Sequence, residues 1–219
     1  MSDLVEFWWE WFPSLLDGLR LSVAVTAVSL ALGIPLGLIL ALGVQSKTVA
    51  WRTLALFLVE IGRGAPALIL LQFTYFGLPN AGVALSSFVS ASLALAWCTG
   101  AYTSEIIRAG LEAVPYGQKE AATAIGLNRW DALRYVIVPQ ALRVSVPPLF
   151  GFSILMLQAS SLCFAIALPE LVSQAYIIGS NTFRYMSILL LTALFYAVIC
   201  IPATIAVSAL ERRLGRHAD

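Results

Sequence analysis

Five apolar blocks, each long enough to cross a bilayer, limit this chain more than any other feature. A helical span needs about 20 apolar residues to cover roughly 30 Å of hydrocarbon. Residues 19–44, 54–78, 86–107, 147–168 and 188–210 each supply such a run. Within hydrocarbon every backbone N–H and C=O must find its partner inside the protein, so runs of this kind become helices. Of the 219 residues, 60% are hydrophobic and 11% charged, more apolar surface than a soluble domain of this size can hide. The expected fold class is an all-α membrane protein with five transmembrane helices. The first block lacks the make-up of a cleaved leader. Asp3, Glu6, Glu10 and Asp17 stand where a leader carries Lys or Arg, and the apolar run is too long.

The basic residues set an orientation, because loops rich in Lys and Arg stay in the cytoplasm. Lys47 and Arg52 lie between the first two blocks. Arg108, Lys119, Arg129, Arg134 and Arg143 flank or occupy the long loop after the third, and Arg212, Arg213 and Arg216 follow the fifth. The opposite side holds mainly Arg20 and Arg184. The N-terminus is therefore expected outside, and the long loop and C-terminus in the cytoplasm. The net charge of +1 gives no field for nucleic acid. Cys98, Cys163 and Cys200 all lie in apolar blocks, with neither a disulfide framework nor metal spacing, and read as small packing residues. His217 has no partner cluster. No metal site and no catalytic residue is expected.

The longest polar interruption runs from Gly110 to Pro148. Gln118 to Ile125 is rich in alanine and other helix formers, and Gly126 is suited to stop that helix. Either Asn128 or Asp131 caps a second short helix toward Val138, and Pro139 is expected to break it. Two short surface helices around a glycine corner are the expectation. Glu120, Ala121 and Ala122, then Gly126, then Pro139 resemble the signature loop of the membrane subunits of ATP-binding-cassette importers. Val136 and Val138 stand where that family usually has Ile and Leu.

The resemblance covers Leu15 to Arg213 and implies the type I importer transmembrane fold over residues 15–213, with a coupling loop at about 112–139. It implies that Glu120, Ala121, Ala122, Gly126 and Pro139 shape the element that docks in a groove of an ATPase subunit. The partners it implies are two copies of that ATPase, a second permease subunit (identical or paralogous), a periplasmic or extracellular amino-acid-binding protein, and membrane lipid. ATP and Mg would belong to the partner, since this chain has no G-x-x-x-x-G-K-[ST] phosphate loop, and no cofactor is expected here. The implied location is the bacterial inner membrane. Residues 1–14, with Trp8, Trp9, Trp11 and Phe12, read as an outer-face interfacial helix, and residues 214–219 as a cytoplasmic tail.

Charged and polar residues inside the blocks are candidates for a substrate path. Glu60 and Arg63, three apart, can pair on one helical face. Gly62, Gly64 and Pro66 free backbone groups there, which is tolerated only against protein or a wet cavity. Ala65 replaces the threonine of the family's Arg-Gly-Thr-Pro, and Gln72 lies two turns on. Gly100-Ala101-Tyr102, Glu105 and Arg108 resemble the polar amino-acid branch of the family. Glu105 either pairs with Arg108 or faces a ligand ammonium. In the fourth block the family's Asn and its Lys-Asp-Thr-Ser-Leu are replaced by Gly151 and by Gln158, Ala159, Ser160, Ser161 and Leu162. The expected path is thus Arg63, Gly64, Gln72, Tyr102, Glu105, Gln158, Ser160 and Ser161. Without an acid at Ala159 it favours a neutral or acidic polar amino acid. The competing reading is a secondary carrier or other membrane protein acting without an ATPase; a carrier would be expected to show internal repeats.

Overall fold

The computed structural model describes residues 2–215. Of the expected tail, residues 216–219, including His217, lie outside the described residues. In chain order the elements are α1 (Ser2–Val44), α2 (Val49–Gly64), α3 (Ala67–Ala81), α4 (Ser87–Glu112), α5 (Tyr116–Ala124), α6 (Arg129–Ile166), α7 (Leu171–Thr182) and α8 (Tyr185–Gly215).

The segment expected as a separate helix over residues 1–14 runs without a break into the first span. Its apolar side is tied to the far end of the chain. Phe7 and Leu15 are buried with Leu171, Ile178 and Ile188, and Trp8 Nε1 donates to the Ser187 carbonyl at 3.0 Å. This packing holds the helix together through Pro13, whose missing N–H would otherwise weaken it.

The second block forms two helices, α2 and α3, bent by 106°. The corner follows from the sequence. Pro66 forces the preceding residue out of the α region, and Ala65 is extended with φ −79° and ψ 135°. Side chains of α4 donate to carbonyls along the second half of α2. Trp97 Nε1 donates to Leu58 O at 3.0 Å, Cys98 Sγ to Gly62 O at 3.5 Å and Tyr102 Oη to Arg63 O at 3.4 Å.

The centre of the bundle is α4. It packs along α1, α2 and α6 and buries Ser90, Ser92, Thr99, Thr103 and Ser104 together with Ala91, Ala94 and Leu95. Gly33 and Gly37 of α1 face Thr99 and Thr103 so closely that a Cβ at either glycine would collide with the threonine side chain. Such close approach of small residues is how membrane helices gain dispersion energy where lipid offers no hydrophobic drive. Among the described residues, three helices are long and apolar enough to cross a membrane, α1, α6 and α8, or up to four with the bent α2–α3 pair as one. The hydroxyl-rich face of α4 keeps it out of that set.

The break expected at Pro139 does not occur, since α6 continues through Pro139, Pro147 and Pro148 to Ile166. A wide π turn over Leu133–Ile137 ends one residue short of Pro139, with Val138 between. It makes room where the proline ring would meet an α-helical carbonyl. At its far end α6 tightens into a 3₁₀ stretch, Ser160–Ile166, which packs on α3.

Candidate functional site: a charged cluster beside the broken helix, and a glycine corner

Arg63, in the last turn of α2, reaches across to α4 instead of pairing with Glu60. Its Nη1 lies 3.7 Å from Glu105 Oε2. Arg108 Nη2 lies 2.6 Å from the same oxygen, and its Nη1 is 2.8 Å from Glu112 Oε1. The expected Glu60–Arg63 pair is thus absent. Glu60 is exposed and makes no ion pair among the described residues. The helix ends one residue after Arg63, so this side chain is free to follow the α4 carboxylate that faces it. Tyr102 is 41% exposed, and its ring stacks on Phe152 of α6 at 5.4 Å. The Arg63 guanidinium lies 6.0 Å from the Tyr102 ring centre.

The expected path residues fall into two groups. Arg63, Tyr102 and Glu105 form one cluster where α2 meets α4. Gln158, Ser160 and Ser161 sit at the end of α6, beside α3 with its exposed Gln72. Gly64 is exposed at the corner, with open space around it. Ser160 is buried, and its hydroxyl donates to Leu157 O at 2.7 Å. Ser161 donates to Gln158 O, also at 2.7 Å. Both hydroxyl protons are therefore used within the helix.

The long loop is built as a corner. Helix α5 ends in a Schellman arrangement: Gly126 N–H donates to Thr123 O at 3.0 Å and Leu127 N–H to Ala122 O at 3.1 Å. This closure requires a left-handed residue, and Gly126 has φ +80°. Asn128 Oδ1 then accepts from the N–H groups of Trp130 (2.9 Å) and Asp131 (3.0 Å), capping α6. Of the two residues the sequence offered as cap, Asn128 takes the role. Glu120 and Ala121 are exposed and Ala122 is buried. Pro139 is exposed, about three turns into the long helix. Tyr116, Ile125, Trp130 and Tyr135 are between 64% and 76% exposed. An apolar group of this kind on a polar loop marks an interaction surface.

Glu170 is not among the expected path residues, and it is fully buried. It caps α7, accepting from Val172 N–H at 3.0 Å and Ser173 N–H at 2.8 Å, and Ser22 Oγ of α1 donates to it at 3.4 Å. Burial pushes its carboxyl up to about 7, against the opposing pull of those hydrogen bonds. The Pro-Glu step before a helix was the available signal, since an acid in that place is a ready N-cap.

Residues 33–216 match the family model described as binding-protein-dependent transport system inner membrane component. The probable amino-acid ABC transporter permease protein YckA of Bacillus subtilis is 35% identical over 208 residues, covering 95% of this chain and 92% of that protein. The glutamine transport system permease protein GlnP of Escherichia coli is 33% identical, covering 94% and 95%. The crystal structure of an amino acid ABC transporter superposes with a TM-score of 0.89 at 35% identity, over 93% of this chain and 95% of that one. Kinship along nearly the whole length, carried by a helical fold of the same shape, shows that the chain belongs to the family of binding-protein-dependent transport system inner membrane components, as a membrane permease subunit of an ATP-driven importer whose ATP is hydrolysed by a separate ATPase.

Proposed function

We propose that this permease subunit carries a polar amino acid, or a close derivative, across a bacterial inner membrane into the cytoplasm. The carrying observation is the near full-length kinship with permeases whose names specify amino acids. In this reading the five spans are α1, the α2–α3 pair, α4, α6 and α8. The N-terminus lies outside, and the glycine corner lies in the cytoplasm. Glu120, Ala121, Ala122, Gly126 and Pro139 shape the surface that couples to the ATPase, and the exposed Trp130 and Tyr135 extend it. The assembly has two ATPase copies, a second permease subunit and an external binding protein. No cofactor is bound by this chain.

The path runs from Arg63, Gly64, Tyr102 and Glu105 toward Gln72, Gln158, Ser160 and Ser161. The Arg63–Glu105 contact, at 3.7 Å, is the looser of the two ion pairs on Glu105. A zwitterionic ligand enters there, its ammonium replacing Arg63 at Glu105 and its carboxylate taking the freed guanidinium. The side chain of the ligand then meets a neutral polar surface, which favours a neutral or acidic polar amino acid. Uptake of radiolabelled polar amino acids in cells with and without the chain tests this reading. It expects one uptake activity to disappear on deletion and to return with the chain. Unchanged uptake of every polar amino acid would reject it.

A further inference from the structure

Away from the Arg63 cluster, a cavity of about 720 Å³ opens at the base of the glycine-corner loop. Its walls come from elements distant in sequence: the start of α5 with Pro115 and Gln118, α6 with Gln140 and Arg143, and the end of α8 with Glu211. Pro147 and Pro148 give it an apolar side. The volume falls in the range of small-molecule sites.

The polar groups in this cavity are poised and unspent. Arg143 and Glu211 carry opposite charges and line one space, yet neither makes an ion pair with the other or with any described residue. Gln140 Nε2 donates to Gln118 Oε1 at 3.4 Å. That leaves the Gln118 amide protons and the Gln140 carbonyl for a third party. Helix α5 begins at this wall without a side-chain cap, so its first turn adds partial positive charge.

We infer that this cavity binds a small zwitterion, a molecule with an anionic group and a primary ammonium a few bonds apart. Arg143 and the first turn of α5 hold the anion, and Glu211 holds the ammonium. A purely anionic ligand meets Glu211 and a purely cationic one meets Arg143, so the site selects for both charges together. The headgroup of phosphatidylethanolamine and a free amino acid share this chemistry. Because Pro115 and Gln118 start the helix that ends at Gly126, an occupant joins α5 to α6 and α8 and stiffens the base of the corner. The site is separate from the proposed transport path and does not rest on it.

The test uses the assembled importer in nanodiscs. Native mass spectrometry reads retention of phosphatidylethanolamine against phosphatidylglycerol, and equilibrium dialysis reads binding of labelled glutamine without the binding protein. The expected result is that one of the two zwitterions is held, and that Arg143→Gln and Glu211→Gln each weaken it about tenfold or more, the scale of one charge-assisted hydrogen bond. Arg52→Gln should leave it unchanged. Loss of phosphatidylethanolamine assigns a lipid, and loss of glutamine assigns an amino acid. Both residues are exposed, so neither change should unfold the chain, and thermal melting checks this. Binding of neither zwitterion, binding insensitive to both variants, or phosphatidylglycerol held as tightly as the zwitterion that binds, would overturn the inference. The readout needs no transport, so its failure is distinguishable from failure of the importer reading.

Discussion

Changing Gly126 to valine isolates the backbone from every other effect at the loop corner. An ideal Cβ at Gly126 meets nothing within 4 Å, so no steric clash enters. What remains is φ +80°, a left-handed conformation that costs an L-residue about 1–2 kcal/mol and a β-branched one the upper part of that range. The alternative is for the corner to relax. That would sacrifice the Gly126–Thr123 and Leu127–Ala122 hydrogen bonds and turn the Asn128 cap away from α6. Either way the corner loses about 1–2 kcal/mol, a factor of about 5–30 in its population. Substrate-stimulated ATP hydrolysis by the assembled complex should fall by about that factor in Gly126→Val, while the amount of chain in the membrane stays the same. Gly126→Ala should fall less, and Gly126→Asn should stay near wild type, because asparagine tolerates the left-handed region. Full activity in the valine variant, or equal loss in the asparagine and valine variants, would refute the backbone argument.

Reporter fusions should show the N-terminus outside, and positions near Lys119 and after Arg213 in the cytoplasm; the reverse pattern would reverse the orientation. Glu105→Gln should lower uptake about tenfold or more without preventing assembly, since a hydrogen-bonded charge is lost; recovery in Glu105→Gln with Arg108→Gln would assign Glu105 a structural role only. Glu170 gives a pH dependence. Its folded value of about 7 lies above the ordinary carboxyl value of 4.5, so its stabilising effect is complete below about pH 4.5 and fades as pH rises through about 7. Melting of the detergent-purified chain should drop across that window, and Glu170→Gln should flatten the curve; an identical slope in both proteins would count against the buried-carboxylate account.

The parts legible from sequence were those set by local chemistry. The apolar blocks located the long helices. Gly126 stopped α5 in the left-handed region, and Asn128 capped the next helix, because turn and cap geometry involve only a few neighbouring residues. The parts that escaped depend on distant partners. Arg63 had Glu60 three residues away, yet it chose Glu105, which tertiary packing brings to it from α4. Pro139 was expected to end a helix. A π turn absorbs it, a local adjustment that composition does not announce. The block of residues 54–78 hid a 106° corner, although Gly64 and Pro66 marked its place. The burial of Glu170 was not legible locally, since one of its partners, Ser22, lies 148 positions earlier. The exposed Tyr116, Ile125, Trp130 and Tyr135 could be seen as one surface only once the loop had folded.

Reconstitution into proteoliposomes tests the central claim most directly. The chain alone is compared with the chain joined by its ATPase, a second permease subunit and an external binding protein, with labelled polar amino acid on the binding-protein side. The account predicts accumulation only in the complete assembly and only with ATP available to the ATPase. Accumulation by the chain alone, driven by an ion gradient without ATP, would contradict it.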